Sequence, residues 1–305
     1  MSVPPLPPLP PRSATEIVDG AVQLIRPHFS YFLRIAAVGA IPALMLSVVT
    51  LLIAPSVTAS LTDPFAQLRQ QAPQTVLEWV FGTAQSGAIL AGAMAVLRGD
   101  ALPTVQAAFI TAFRRVFALI GASLLLIVVL LVTALPVILA IGAAVAISGI
   151  GVSAAGGLTG GTIGTAVVIA LLAFVLLVGL LFVAVSVVAR SAVMTALIIV
   201  EDLGPIAALQ RAHALSSGNY LQLAKTYGLV MLSAGVVYAV LASVAAAFQN
   251  QQQIASALLS VLVIPVVPII GGITLLTYAD LRVRREGADL DAALDALPGA
   301  SLPSN

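Results

Sequence analysis

The chain has 305 residues with a formal net charge of +1; 60% of them are hydrophobic, only 8% are charged, and the mean hydropathy is +1.13. Soluble domains carry about 25% charged residues, so this composition excludes a water-soluble fold and points to a polytopic helical membrane protein. The absence of cysteine excludes disulfides, thiolate metal ligation and thiol catalysis, and the near-neutral balance carries no signal for nucleic acid.

Several uncharged runs exceed the roughly 20 residues that cross a bilayer. They are unbroken and rich in Leu, Ala and Val, not the short alternating strands of a β-barrel. Residues 1–12 (MSVPPLPPLPPR) read as a disordered proline-rich spacer, and no cleavable signal peptide is expected. Ser13-Ala-Thr-Glu16 is a capping-box pattern. It opens an amphipathic helix with Ile17, Val18, Ala21, Leu24 and Ile25 on one face, expected to lie in the membrane interface and to end at Pro27.

A first span is expected at 31–54, with Arg34 one turn inside it, then a loop at 55–74 and a second span at 75–97. The second span carries small residues at four-residue spacing, Ala84/Ala88/Gly92 and Gly87/Ala91/Ala95, which predicts an interior helix. A second amphipathic segment follows Pro103, with Val105, Ala108, Phe109, Ala112 and Phe113 on its apolar face and Arg114-Arg115 at its end. The third apolar run covers 116–148, a Gly/Ser/Thr-rich turn covers 149–164, and the fourth run extends from Thr165 to Val200. Gly204-Pro205 starts a third short helix. The fifth span is expected at 221–247, a polar turn at 249–253, and a sixth span at 254–278 kinked by Pro265, Pro268 and Gly271-Gly272. Beyond it the sequence reads as a charged stretch and then a flexible tail, 286–305.

The expected architecture is therefore an all-α, polytopic helical membrane bundle: six transmembrane helices and three interfacial amphipathic helices in one domain, 13–285. The segments beginning near Ser13, Pro103 and Pro205 suggest a three-unit internal repeat. Twelve of the 13 basic residues fall on one side of this topology and only Arg69 on the other, which predicts that both termini are cytoplasmic.

No catalytic constellation is evident. His28 and His213 lack metal-ligand spacing, and Glu16, Asp19, Asp100, Glu201, Asp202 and Asp280 are expected to cap helices or pair with neighbouring arginines. Away from their ends, the spans offer as polar groups only Gln85, Ser86, Ser123, Thr133, Ser186, Ser233, Tyr238 and Ser243. The 36-residue run ending at Val200 is about 54 Å long as a helix, more than the hydrocarbon thickness. Arg190 is interfacial if the span takes the first part of that run and intramembrane if it takes the last.

Three segments carry a resemblance. They are EDLGPIAALQRAHALSSGNY (Glu201 to Tyr220), YADLRVRREG (Tyr278 to Gly287) and the opening EIVDGA (Glu16 to Ala21), with Arg26 and Phe29. Together they resemble the bacterial membrane-domain family found fused to glycerophosphodiester phosphodiesterases and also occurring alone as six-span proteins. Asp202 departs from the family's usual glycine, and His213 and Ala288 also depart from its pattern. The resemblance implies a bacterial cytoplasmic-membrane location and this architecture, not catalysis, because no phosphodiesterase domain is expected in the chain. The resulting expectation is a non-enzymatic scaffold or accessory protein without cofactor, whose partners are anionic membrane lipids held by Arg114, Arg115, Arg190, Arg211, Arg282, Arg284 and Arg285. The alternative is a lipid or small-molecule transporter with Arg190 near its site.

Overall fold

The computed structural model describes residues 10–53, 66–154, 160–245, 258 and 261–287. The elements among them are helical: α1 (Ala14–Ile25), α2 (Phe29–Ile53), α3 (Ala66–Arg98), α4 (Val105–Arg114), α5 (Val116–Ala154), α6 (Gly160–Val200), α7 (Pro205–Ser216), α8 (Tyr220–Ala245) and α9 (Val267–Glu286). Among the described residues, five helical stretches are long and apolar enough to cross a membrane: Ala14–Leu46, Thr75–Arg98, Val116–Pro136, Phe174–Val200 and Tyr220–Ser243. The expected sixth span falls partly outside the described residues, and its described part, α9, is not among those five. Most of the proline-rich start, the flexible tail and the turn at 249–253 also lie outside them.

Local sequence explains most of the boundaries. The capping box forms as expected: the Ser13 hydroxyl accepts from the Glu16 N–H, and the Glu16 carboxylate accepts from the Ser13 N–H at 2.6 Å. Pro27 does not end the helical path, contrary to expectation. It sits in the first turn of a 3₁₀ segment, Arg26–His28, where its missing N–H costs nothing, and the chain passes directly into α2. The helices also run further into the expected loops: α3 begins at Ala66, α5 reaches Ala154 and α6 starts at Gly160. Pro265 falls in a break, residues 264–266, ahead of α9.

The largest difference from the sequence reading is in α9. The charged stretch after Tyr278 is helical to Glu286, and every residue from Gly272 to Val283 is buried. Two i,i+4 pairs, Asp280–Arg284 and Arg282–Glu286, support this last part, and Gly287 closes it in the left-handed conformation at φ 63°. α9 packs on α1, α3 and α6. A Cβ on Gly272 would lie 3.2–3.3 Å from the Ala21 side chain and carbonyl, so this glycine permits the close α1–α9 crossing.

The interior character expected for the second span holds. Ala84, Ala88 and Ala93 are fully buried in α3, and Gly39 of α2 comes so close that an added Cβ would sit 2.7 Å from the Gln85 side chain. That approach lets the Gln85 amide cross to α2 and donate to the Ala36 carbonyl at 2.6 Å.

The tight core lies toward one end of the bundle. It joins Phe32 and Ile35 of α2, Ile89 and Leu90 of α3, Leu119 of α5, Met194 and Leu197 of α6, Leu215 of α7 and Tyr278 of α9. The other reaches of the long helices expose aliphatic side chains, among them Ile41 and Met45 on α2, Leu131 and Leu139 on α5, Leu171 and Leu181 on α6, and Leu232 and Val236 on α8. Exposed aliphatic surface on this scale requires an apolar solvent.

Candidate functional site at the arginine-rich end

Where α6 gives way to α7, Glu201 is almost fully buried, its side chain only 4% exposed. A buried carboxylate needs donors. It receives the Tyr278 hydroxyl at 2.7 Å and Arg211 Nε at 3.4 Å. Arg211 also pairs with Glu286 at 2.5 Å, and Arg282 Nε donates to the same carboxylate at 3.1 Å. Burial works against the charge of Arg282, but the neighbouring Tyr278 oxygen and Glu286 more than offset it and raise its pKa above the ordinary arginine value. This network ties the end of α6 and the body of α7 to the last turns of α9.

A second cluster forms around Asp280, whose side chain is 2% exposed. Its oxygens accept the Arg12 backbone N–H at 2.7 Å and Arg284 Nε at 2.8 Å. The Arg12 carbonyl in turn accepts from Arg284 at 2.7 Å and from the Gln222 amide at 3.0 Å. The peptide just before α1 is thereby held by both α8 and α9. A third contact pairs Arg115, at the start of α5, with Asp202. Asp202 is the only non-glycine residue with positive φ among the described residues, at 61°. That conformation favours glycine, so an aspartate here is an exception that the chain tolerates.

These contacts divide the seven arginines expected to hold lipid. Arg115, Arg211, Arg282 and Arg284 are committed to carboxylates of the chain itself. Arg114, Arg190 and Arg285 have no ion pair among the described residues. The pairing expected for Glu201, Asp202 and Asp280 is present, and it makes these residues structural. Arg190 lies over the ring of Tyr220, 5.0 Å from its centroid, and its buried Nε has no hydrogen-bond partner. It stands where the exposed face of α6 ends: Val188 is exposed, whereas Ala189 and Val193 are buried.

Two concave features complete this region. A groove of about 830 Å³ runs between Val38 of α2, Phe81 of α3 and Val105, Phe109 and Phe113 of α4, with Arg114 at its edge. α4 buries Ala108, Phe109 and Ala112 but leaves Ile110 and Phe113 exposed, so its apolar face is only half used by the protein. A second cavity, about 340 Å³, lies between α3, α5 and α6 and carries several polar side chains on a mainly apolar wall. It gathers Gln85, Ser86 and Ser123 from the expected intramembrane polar set and adds Thr195. Thr133, Ser186, Ser233 and Ser243 line neither cavity; like Ser86, Ser123 and Thr195, they donate to carbonyls of their own helices. No protein-family model, curated protein or solved structure matches the chain.

Proposed function

We propose that the protein is a non-catalytic scaffold or accessory protein of the bacterial cytoplasmic membrane, with six spans, both termini in the cytoplasm, and a basic face that holds anionic lipid. The resemblance to the membrane domain of glycerophosphodiester phosphodiesterases supports this location and topology. The carrying observation is the division of the arginines. Four are neutralised internally, while Arg114 and Arg190, which have no carboxylate partner among the described residues, sit beside exposed apolar surface, Arg114 at a mostly apolar groove and Arg190 at the end of the exposed face of α6. A guanidinium so placed suits a lipid phosphate whose acyl chains cover the adjoining side chains. On this reading the membrane boundary passes near Arg190, and the last turns of α6 rise into the headgroup region.

Native mass spectrometry of the gently extracted protein, titrated with phosphatidylglycerol and with phosphatidylcholine, tests the proposal. Phosphatidylglycerol should be retained in preference, and the R114Q/R190Q double variant should lose that preference. Equal retention of the two lipids by the wild type would overturn the proposal. A lipid or small-molecule transporter is the second reading, favoured by the buried, unsatisfied Nε of Arg190. It requires substrate flux in proteoliposomes that disappears in the Arg190→Ala variant.

A further inference from the structure

The groove between α2, α3 and α4 has a composition that narrows what can fill it. Phe109, part of the core, backs it, while Val38, Ile110 and Phe113 expose much of their apolar surface along it. The rings of Phe81 and Phe113 meet edge to face with centroids 5.9 Å apart, and those of Phe109 and Phe113 lie 6.3 Å apart, so phenyl surface is continuous along one wall. The groove follows α4 from Val105 to Arg114, about 14 Å at the helical rise. Its volume of about 830 Å³ is that of a site for one small ligand, and its shape favours an elongated one. Among the described residues that line it, Arg114 is the one charged group and Gln106 the one other polar side chain.

Apolar walls call for a hydrocarbon chain, and a single guanidinium at the edge calls for one anionic group at the end of that chain. A carboxylate meets that fork of N–H donors with two oxygens, and one arginine is enough for it. A phospholipid head brings phosphate and glycerol oxygens as well, for which the lining offers only the Gln106 amide. We propose that the groove binds one long-chain fatty acid, its carboxylate paired with Arg114 and its chain lying along α4 over Phe109. This rests on the reading that Arg114 faces lipid, and it narrows the lipid at that arginine to a free fatty acid. Arg190 has no part in it.

Native mass spectrometry of the full-length protein in a nonionic detergent tests this, with sodium oleate, oleyl alcohol and oleoyl lysophosphatidylglycerol as separate titrants. All three carry the same chain and differ only in the head. Oleate should saturate at one molecule per chain and be retained in preference to the other two. Arg114→Gln should weaken its apparent Kd about tenfold or more, the usual effect of losing a charge-assisted hydrogen bond. Ile110→Trp and Val38→Trp, which fill the groove from exposed positions on two helices, should each do the same without lowering the thermal midpoint. Val236→Trp, the same change on the exposed face of α8, should leave oleate retention as it is. Equal retention of oleyl alcohol, tighter retention of the lysophospholipid, or unchanged oleate binding in both groove-filling variants overturns the proposal. If phosphatidylglycerol is still preferred to phosphatidylcholine in those cases, the fatty acid is wrong and the broader anionic-lipid reading stands.

Discussion

The Tyr278 hydroxyl donates to the Glu201 carboxylate at 2.7 Å, across 77 residues of sequence. Glu201 closes the long apolar run of α6, and Tyr278 lies in the middle of the buried stretch of α9, so one hydrogen bond joins the two elements that the core needs in register. Tyr278→Phe keeps the ring and its packing but strands a carboxylate whose side chain is 4% exposed. The expected loss is about 1–3 kcal/mol, read as a lowered thermal midpoint in detergent. Glu201→Gln, which can still accept from Tyr278, should cost less than Tyr278→Phe.

Asp280 should protect the start of the chain. Its carboxylate and its partner Arg284 hold both polar groups of the Arg12 peptide. Asp280→Ala releases that peptide and leaves Arg284 without its counter-ion. Tryptic cleavage after Arg12 should then become at least several-fold faster than in the wild type, measured by the time course of the shortened product. An unchanged rate would mean that Gln222 alone suffices.

At Asp202 two effects oppose each other. A positive φ costs about 1 kcal/mol for a residue with a side chain, and the exposed pair with Arg115 returns no more than about 1 kcal/mol. Asp202→Gly should therefore be near neutral, while Asp202→Ala, which keeps the strain and loses the pair, should be destabilising by about 1 kcal/mol. Thermal melts of the two variants side by side decide this; an alanine variant as stable as the glycine one would contradict it.

Gly39 and Gln85 should behave as one unit. A Cβ on Gly39 would stand 2.7 Å from Gln85 Cβ, so Gly39→Ala forces α2 and α3 apart and should cost about 1–3 kcal/mol. Gln85→Ala relieves part of that overlap. The double variant should accordingly be more stable than the sum of the single effects by at least about 0.5 kcal/mol, as a double-mutant cycle reports.

Features governed by nearest neighbours were legible in the sequence. The Ser13/Glu16 box, the Pro205 start of α7 and the small-residue ridge of α3 follow from spacing alone, because their causes lie within a few residues. The end of α9 was not. A stretch holding Asp280, Arg282, Arg284 and Arg285 reads as solvated, since nothing local shows that Arg12, Gln222 and Glu201 converge on it from distant positions. The polar cavity was half visible: Gln85 and Ser86 are adjacent in sequence, but periodicity cannot show that Ser123 and Thr195 face them. For the arginines, charge counting could give only an expected side of the membrane. Whether each one is paired depends on carboxylates that the fold brings from elsewhere.

The bond between Arg12 and Asp280 spans 268 residues, nearly the whole chain. At about 5–20 residues per second, synthesis leaves α1 waiting on the order of ten seconds or more before its partner helix exists. During that interval Ile17, Ala21 and Ile25 have no α9 to bury them, and the membrane interface is the nearest shelter for such a face. The amphipathic pattern of α1 thus serves the nascent chain before it serves the finished one. α1 and α9 can pack on each other only once the last turns of α9 have left the ribosome.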